Sequence, residues 1–279
     1  MLPFTKTMPK EMLPIGSKPL IQYAVEEAVA SGIQEIVLVA PPGNTTIQEY
    51  FARNLSLESL LEKRGRHQEA ESIRWLSRLA DIRFAYQDQP LGLGHAVGCA
   101  RQAVGDEPFA LILPDALIVS SRPCVRQLID CYELFPGSYV ATREVEAGEL
   151  GRFGILDLSP LHYPAMNGRL YRVRGMVEKP SVEAAPSRFG VFGRYLFEPE
   201  IFDYIGRVPP DASGEIQITN AMAMYCLDFP LYGACFEGDH YDSGNKLEFL
   251  QASVRIGLDD PERSGEFRKF LISVLSAQN

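Results

Sequence analysis

The chain reads as an α/β protein with a mixed, mostly parallel central sheet flanked by helices. Three observations predict this. Apolar runs of strand length alternate with helical stretches from the first helix to Leu113, the pattern of a parallel sheet covered on both faces. Proline and glycine end these runs, as strand-to-loop turns require. Beyond residue 137 the texture changes to short strands separated by Gly and Pro turns, so the sheet becomes mixed. At 279 residues, 46% apolar and 23% charged, the chain has the size and composition to fill one α/β domain with a sizeable core.

The elements follow in order. Pro9 to Pro14 reads as a rigid loop, and Pro19 opens an amphipathic helix with Leu20, Ile21, Ala24, Val25, Ala28 and Val29 on one side and Gly32 as its stop. Glu35 to Ala40 is a buried strand closed by Pro41-Pro42-Gly43. Thr45 to Leu79 is helical, with mixed charge and the lone Trp75, and reads as a solvated surface. Ile82 to Tyr86 is a strand, and "QDQPLGLGHAVGCARQAV" turns through glycines into a helix. Phe109 to Leu113 is a buried strand ending at Pro114-Asp115. Strands are then expected at Ser138–Arg143, Phe153–Leu158, Arg169–Glu178 and Gly190–Phe197, and helices at Pro199–Gly206, Glu215–Leu227 and Lys246–Gly257. No internal repeat or low-complexity linker interrupts them.

The charge balance excludes some functions. With 27 basic and 36 acidic residues the net charge is −9, the opposite of a nucleic-acid or membrane-surface footprint. A small phosphorylated ligand needs only a few placed cations and stays open. The cysteines are odd in number, five, and none forms a Cys-x-x-Cys pair, which points to buried thiols in a reducing compartment rather than a disulfide framework or zinc site. Neither a membrane-length apolar run nor a signal peptide is visible, so a cytoplasmic protein is expected.

The chemistry-bearing residues are few. Asp115 follows a strongly apolar strand in "LILPD", and Asp242 precedes a Ser-Gly turn and a helix in "HYDSGNK". Mg²⁺ is commonly held by one or two carboxylates and completed by phosphates and water, although either aspartate alone reads as readily as a turn residue. "GLGHA", Gly92 to Ala96, has the form of a backbone-approach loop at a helix start; it also suits an ordinary turn, and His95 in it reads as a helix-start or packing residue. "VEKP" places Glu178 and Lys179 side by side at a strand end. Neighbours on a strand face opposite ways, so the two are expected not simply to pair. Neither a Ser-His-Asp pattern nor a catalytic carboxylate pair stands out. Cations plus metal-binding aspartates suit phosphoryl or nucleotidyl transfer.

Taken together, "MLPFTKTMPKEMLPIGSKPLIQYAVEEA", "QPLGLGHAV", "LILPD", "VEKP", "FGRYLF", "GEIQITNAM" and "YDSGNK" resemble the bacterial UTP–glucose-1-phosphate uridylyltransferases, or UDP-glucose pyrophosphorylases. The likeness runs in order from Met1 to about Phe267. It implies a Rossmann-like sugar nucleotidyltransferase fold, UTP and glucose 1-phosphate as substrates, UDP-glucose and pyrophosphate as products, Mg²⁺ as cofactor, and a homo-oligomer. All 279 residues would form a single domain, with residues 1–137 mainly binding nucleotide and 138–279 supplying the sugar side and the C-terminal helices. The resemblance puts Glu11, Gln87 and Gly92 around the uracil and Lys10 near the nucleotide phosphates. Asp115 and Asp242 would hold Mg²⁺, Gly154 and Glu178 meet the glucose hydroxyls, and Lys179 meets the sugar phosphate. Lys10, Lys179 and Asp115 are thus the expected catalytic residues.

The chain departs from the family pattern in three places. The family carries an apolar strand and a Gly-rich loop ending Gly-Thr-Arg before "MLP", and Met1 coincides with an internal methionine of that pattern. A misplaced start is the expectation, with little turnover from a chain beginning at Met1. Asn220 stands where the family commonly has Asp, and Ser243 where it commonly has Cys. The missing loop and Asn220 keep open a non-catalytic relative that binds nucleotide sugar or regulates an active subunit. Because pocket shape decides base and sugar, a transferase using another nucleotide or sugar, such as a thymidylyltransferase, stays open as well.

Overall fold

A computed structural model of the chain describes residues 2–43, 45–161 and 168–277; Met1 lies outside them. Its contacts divide into two compact units. One comprises Met1–Ala24, Leu113–Val119 and Asp239–Asn279; the other comprises Val25–Ile112 and Ser120–Gly238.

The first unit is assembled from three distant pieces of chain. After short 3-10 turns at Phe4–Lys6 and Lys10–Met12, Pro14–Ile15 folds back on Lys18–Pro19. Gly16, at φ +62°, supplies the left-handed residue of this turn. Helix Leu20–Ala30 starts just after Pro19 as expected, and Gly32 takes φ +94° beyond its end. Strand Ala116–Val119 pairs antiparallel with Asp239–Asp242, Ala116 opposite Asp242. Helix Lys246–Asp259 follows, and Leu13, Ile15, Leu20, Leu117 and Ala252 form a common apolar cluster. The expected elements include neither of the paired strands nor the last helix Ser264–Ser276, although "ALIV" is an apolar run of strand length and Phe267, Phe270, Leu271, Val274 and Leu275 recur at helical spacing.

The second unit carries a six-stranded sheet in the order Phe109–Ile112, Phe189–Phe197, Ser138–Glu144, Leu231–Cys235, Leu170–Glu178, Gly154–Pro160. Glu35–Ala40 and Asp81–Tyr86 form a separate parallel pair. The sheet is mixed, but among the described residues antiparallel pairings dominate it, and only Leu231–Cys235 runs parallel to its neighbour Ser138–Glu144. The reason is the long strand Phe189–Phe197, which lies antiparallel between Phe109–Ile112 and Ser138–Glu144. Helix and strand alternation in the first half could not reveal a neighbour contributed from the second.

Two strands expected to be fully buried are half-buried instead. Phe109–Ile112 and Glu35–Ala40 each have one hydrogen-bonded neighbour among the described residues. An apolar run reports the capacity to be covered, whereas position in the sheet decides how far it is covered. The deepest core lies around Tyr139, Val140, Ala141, Phe197, Ile201 and Tyr225. A register shift in Phe189–Phe197, with Gly193 at φ +67°, precedes Arg194, which is only 2% exposed. Glu27 accepts from Arg194 Nε and Nη2 at 3.1 and 2.9 Å and from Val125 N at 3.1 Å, so the buried guanidinium is paired and helix Cys124–Leu134 is anchored at its first turn.

Candidate active site

In the first unit, strand pairing brings Asp115 and Asp242 together. Asp242 lies opposite Ala116, and Ser243 N donates to Asp115 O at 2.9 Å. The two aspartates, far apart in sequence, therefore sit at adjoining ends of paired strands. Lys10, held in the turn Lys10–Met12, places Nζ 2.7 Å from Asp115 Oδ2. At 33% and 40% exposure this ion pair contributes little to stability. Glu11 is half-buried in the same turn.

The "DSGNK" stretch has a separable job for each residue. Asp242 Oδ1 accepts from Gly244 N at 2.8 Å, closing a turn, and Asn245 Oδ1 caps the following helix through Leu247 N and Glu248 N. Glu248 reaches back to Asp242 N at 2.7 Å. A Cβ on residue 244 would lie 3.0 Å from Asp242 Oδ1 and 3.1 Å from Lys10 Nζ. Gly244 thus leaves free the space next to both the Lys10 ammonium and the Asp242 carboxylate.

Ser243 is 1% exposed and its Oγ has no protein hydrogen-bond partner among the described residues. Burying a hydroxyl unpaired costs about 1–3 kcal/mol. Ser243→Ala should therefore raise stability by about 1 kcal/mol, read as a higher Tm in thermal unfolding. A lower Tm would mean the hydroxyl is satisfied, by water for instance, and contributes to the fold.

In the second unit, two clusters form. At the end of strand Asp81–Tyr86, Gln87 N donates to Ala40 O at 3.0 Å and continues the parallel ladder by one residue. The Gln87 amide reaches Gly92 O at 3.1 Å and His95 Nδ1 at 3.0 Å. Gly92, at φ +93°, begins helix Leu93–Cys99. The close backbone approach expected of "GLGHA" is made to the chain itself. Gly94 N donates to Ile216 O at 2.8 Å and Ile216 N to Leu91 O at 2.7 Å. A Cβ on Gly94 would lie 2.7 Å from Ile216 O, so only glycine permits this clasp. Asp211 holds the other side of the clasp through Ser213, Gln217 and Glu215 N. Those bonds keep its carboxyl well below the usual carboxylate range. Asp211 is not among the sequence candidates; it lies just before the "GEIQITNAM" stretch.

The remaining cluster joins Gly154, Glu178, Lys179 and a residue missed in the sequence, Thr219. Gly154 lies opposite Glu178 across the pair Gly154–Pro160 and Leu170–Glu178. Thr219, buried in the first turn of helix Ile218–Asp228, donates Oγ1 to Glu178 Oε2 at 2.6 Å. A Cβ on Gly154 would sit 3.1 Å from Glu178 Oε2 and 3.3 Å from Thr219 Oγ1. Asn220, the departure from the family pattern, is exposed; the buried contact is made by its neighbour.

The expectation that Glu178 and Lys179 would not pair is overturned. The strand ends at Glu178, and Lys179 turns into the left-handed region at φ +43°, its N–H donating to Phe153 O. That turn cancels strand alternation and brings Lys179 Nζ to 3.5 Å from Glu178 Oε1. Lys179 is the only non-glycine residue at positive φ among the described residues, a costly conformation that persists where the surroundings impose it.

No group of three or more His, Cys, Asp or Glu among the described residues forms a self-sufficient metal site. Two partly exposed carboxylates at adjoining strand ends still fit a hard divalent cation, provided that substrate oxygens and water complete its shell. All five cysteines are free, and burial pushes the Cys131 and Cys235 thiols up to about 11, which keeps them as inert thiols.

Residues 1–257 match the nucleotidyl transferase family, and by that match the chain is a nucleotidyltransferase. The chain is 41% identical over 270 residues to the UTP–glucose-1-phosphate uridylyltransferase of Staphylococcus haemolyticus (strain JCSC1435), covering 97% of this chain and 92% of that protein. It is similar to the structure of a UTP-bound UGPase from Acinetobacter baumannii, with a TM-score of 0.88 and 33% identity over 97% of this chain and 93% of that one. A UDP-glucose pyrophosphorylase complexed with UDP-glucose matches with a TM-score of 0.82 and 35% identity, over 92% and 93% of the two chains. The chain belongs to the UTP–glucose-1-phosphate uridylyltransferase family.

Proposed function

We propose that this chain forms UDP-glucose and pyrophosphate from UTP and glucose 1-phosphate. The observation that carries the reading is the Lys10–Asp115–Asp242 cluster beside Gly244. The sugar-phosphate oxygen is already an anionic nucleophile and needs no strong general base. The obstacle is its repulsion by the triphosphate. Lys10 lowers that repulsion at the nucleotide phosphates and Lys179 at the sugar phosphate, while the fixed partners align attack on the α-phosphorus. Mg²⁺, held by Asp115 and Asp242, supplies positive charge to the phosphate oxygens when bound. Glu11, Gln87 and Gly92 take the uracil. Gly154 and Glu178 take the glucose hydroxyls, with Thr219 orienting the carboxylate.

The reaction belongs to the cytoplasm on this reading, supported by five free thiols; no described helix is long and apolar enough to cross a membrane. Self-association is supported by Leu247, Leu250, Phe270, Ile272 and Leu275, all exposed on the last two helices. The test is to follow pyrophosphate and UDP-glucose together. Both are expected only when UTP, glucose 1-phosphate and Mg²⁺ are all present, and a chelator should stop them. Pyrophosphate release that ignores glucose 1-phosphate, or no product even from a form extended through the codons upstream of Met1, would overturn the reading.

A further inference from the structure

The Gln87 amide is held more tightly than a base-reading side chain requires. Its nitrogen lies 3.1 Å from Gly92 O and 3.0 Å from His95 Nδ1. A carbonyl oxygen can only accept, so the amide nitrogen faces Gly92 whichever way the two amide atoms are first assigned. The second amide hydrogen then points at His95 Nδ1. That nitrogen is therefore the acceptor, and the ring carries its proton on Nε2. Both donors of the amide are used within the loop. Gln87 Oε1 has no partner among the described residues, on a side chain only half-buried.

We infer that His95 is a positioning residue that makes Gln87 present a bare carbonyl oxygen to the base. The inference rests on the reading that Gln87 meets the pyrimidine of the nucleotide. An acceptor locked in place suits uracil or thymine, whose N3 carries a hydrogen. Cytosine offers a lone pair at N3, and two acceptors would then face each other. An amide free to turn over could serve either base, because its nitrogen would donate to cytosine N3. Gly92 O and His95 Nδ1 together prevent that turn. The Gly92 contact fixes the amide only while the side chain stays beside that carbonyl. One hydrogen bond contributes only about 0.5–1.5 kcal/mol, too little to stop the side chain from swinging away and turning over. His95 therefore acts on base choice without touching the base. A histidine that merely packs the start of helix Leu93–Cys99 would have no such effect.

The experiment measures UTP and CTP binding calorimetrically to the 279-residue chain and to His95→Phe, His95→Asn and Gln87→Ala, with Tm recorded for each. The parent should prefer UTP. His95→Phe keeps a ring but removes the acceptor, and should cut the UTP-to-CTP affinity ratio about tenfold, or about 1.4 kcal/mol. His95→Asn can place a carbonyl oxygen near the lost Nδ1 and should restore most of the ratio. His95→Ala gives the same test if the phenyl ring prevents folding. An unchanged ratio in a folded His95→Phe, or an equal fall for both nucleotides, would overturn the positioning role while Gln87→Ala still collapses the ratio. A parent without preference, or one binding neither nucleotide, or a Gln87→Ala that keeps the ratio, would instead refute the base reading on which the inference stands.

Discussion

Asp115→Asn should lower the rate of UDP-glucose formation by about 10²–10³-fold while leaving the fold intact, and Asp242→Asn should do the same. Both aspartates stand at adjoining ends of one antiparallel strand pair. Each substitution keeps size and an acceptor oxygen, so Gly244 N can still bond to residue 242. What is lost is negative charge at the place where a divalent cation and a triphosphate have to be balanced. The Lys10–Asp115 pair is accessible enough to water that losing it should cost stability no more than about 1 kcal/mol. The check is steady-state turnover across a Mg²⁺ series, together with Mg²⁺–UTP binding by calorimetry and Tm. Weaker metal-dependent binding with an unchanged Tm supports the assignment. Full turnover from either variant at ordinary Mg²⁺ would remove that aspartate from the metal site.

Lys179→Gly should raise the apparent KM for glucose 1-phosphate about 10–10²-fold without lowering Tm. A charge-assisted bond to a phosphate contributes about 1.5–3 kcal/mol, which sets that range. The stability half of the expectation comes from the backbone. A lysine at φ +43° pays about 1–2 kcal/mol for a left-handed conformation that glycine adopts freely. Glycine's greater freedom in the unfolded chain offsets about 0.4–1 kcal/mol of that gain. Lys179→Ala keeps the Cβ in the strained position and should match the KM defect without the relief. The ion pair to Glu178 is long and the lysine is 60% exposed, so its loss should be barely felt in stability. Unchanged KM in both variants would return Lys179 to the solvated surface.

Several local elements are legible in the sequence. Glu35–Ala40 has the bounds that its β-branched run predicts, and the helix after Pro19 starts and stops where proline and glycine place it. Local patterns report local geometry, and these elements are decided by nearest neighbours along the chain. Strands whose identity depends on a distant partner are not among the expected elements. Ala116–Val119 and Asp239–Asp242 are four residues each and exist as strands because they find one another. Thr219 lies inside "GEIQITNAM", so the motif marks its neighbourhood, but only the fold shows that its hydroxyl meets Glu178. Asp211, in a polar loop just before that motif, carries no signal until the "GEIQ" backbone lies against it.

By itself the sequence determined which chemistry-bearing residues this chain carries and in what order, and the family to which the chain belongs. Two aspartates, two lysines and a Gln-Gly loop, in fixed order among strand-ending prolines and glycines, are covalent facts readable without a fold. Tertiary structure decided which of them meet and which way they point. Asp115 and Asp242 become neighbours only through strand pairing, and Glu178 meets Lys179 only because the chain turns left-handed after its strand. The physical reason is range. Propensity, capping and hydrophobic period act over a few residues, whereas a site is assembled from contacts across more than a hundred residues of chain, where only packing and hydrogen-bond register discriminate.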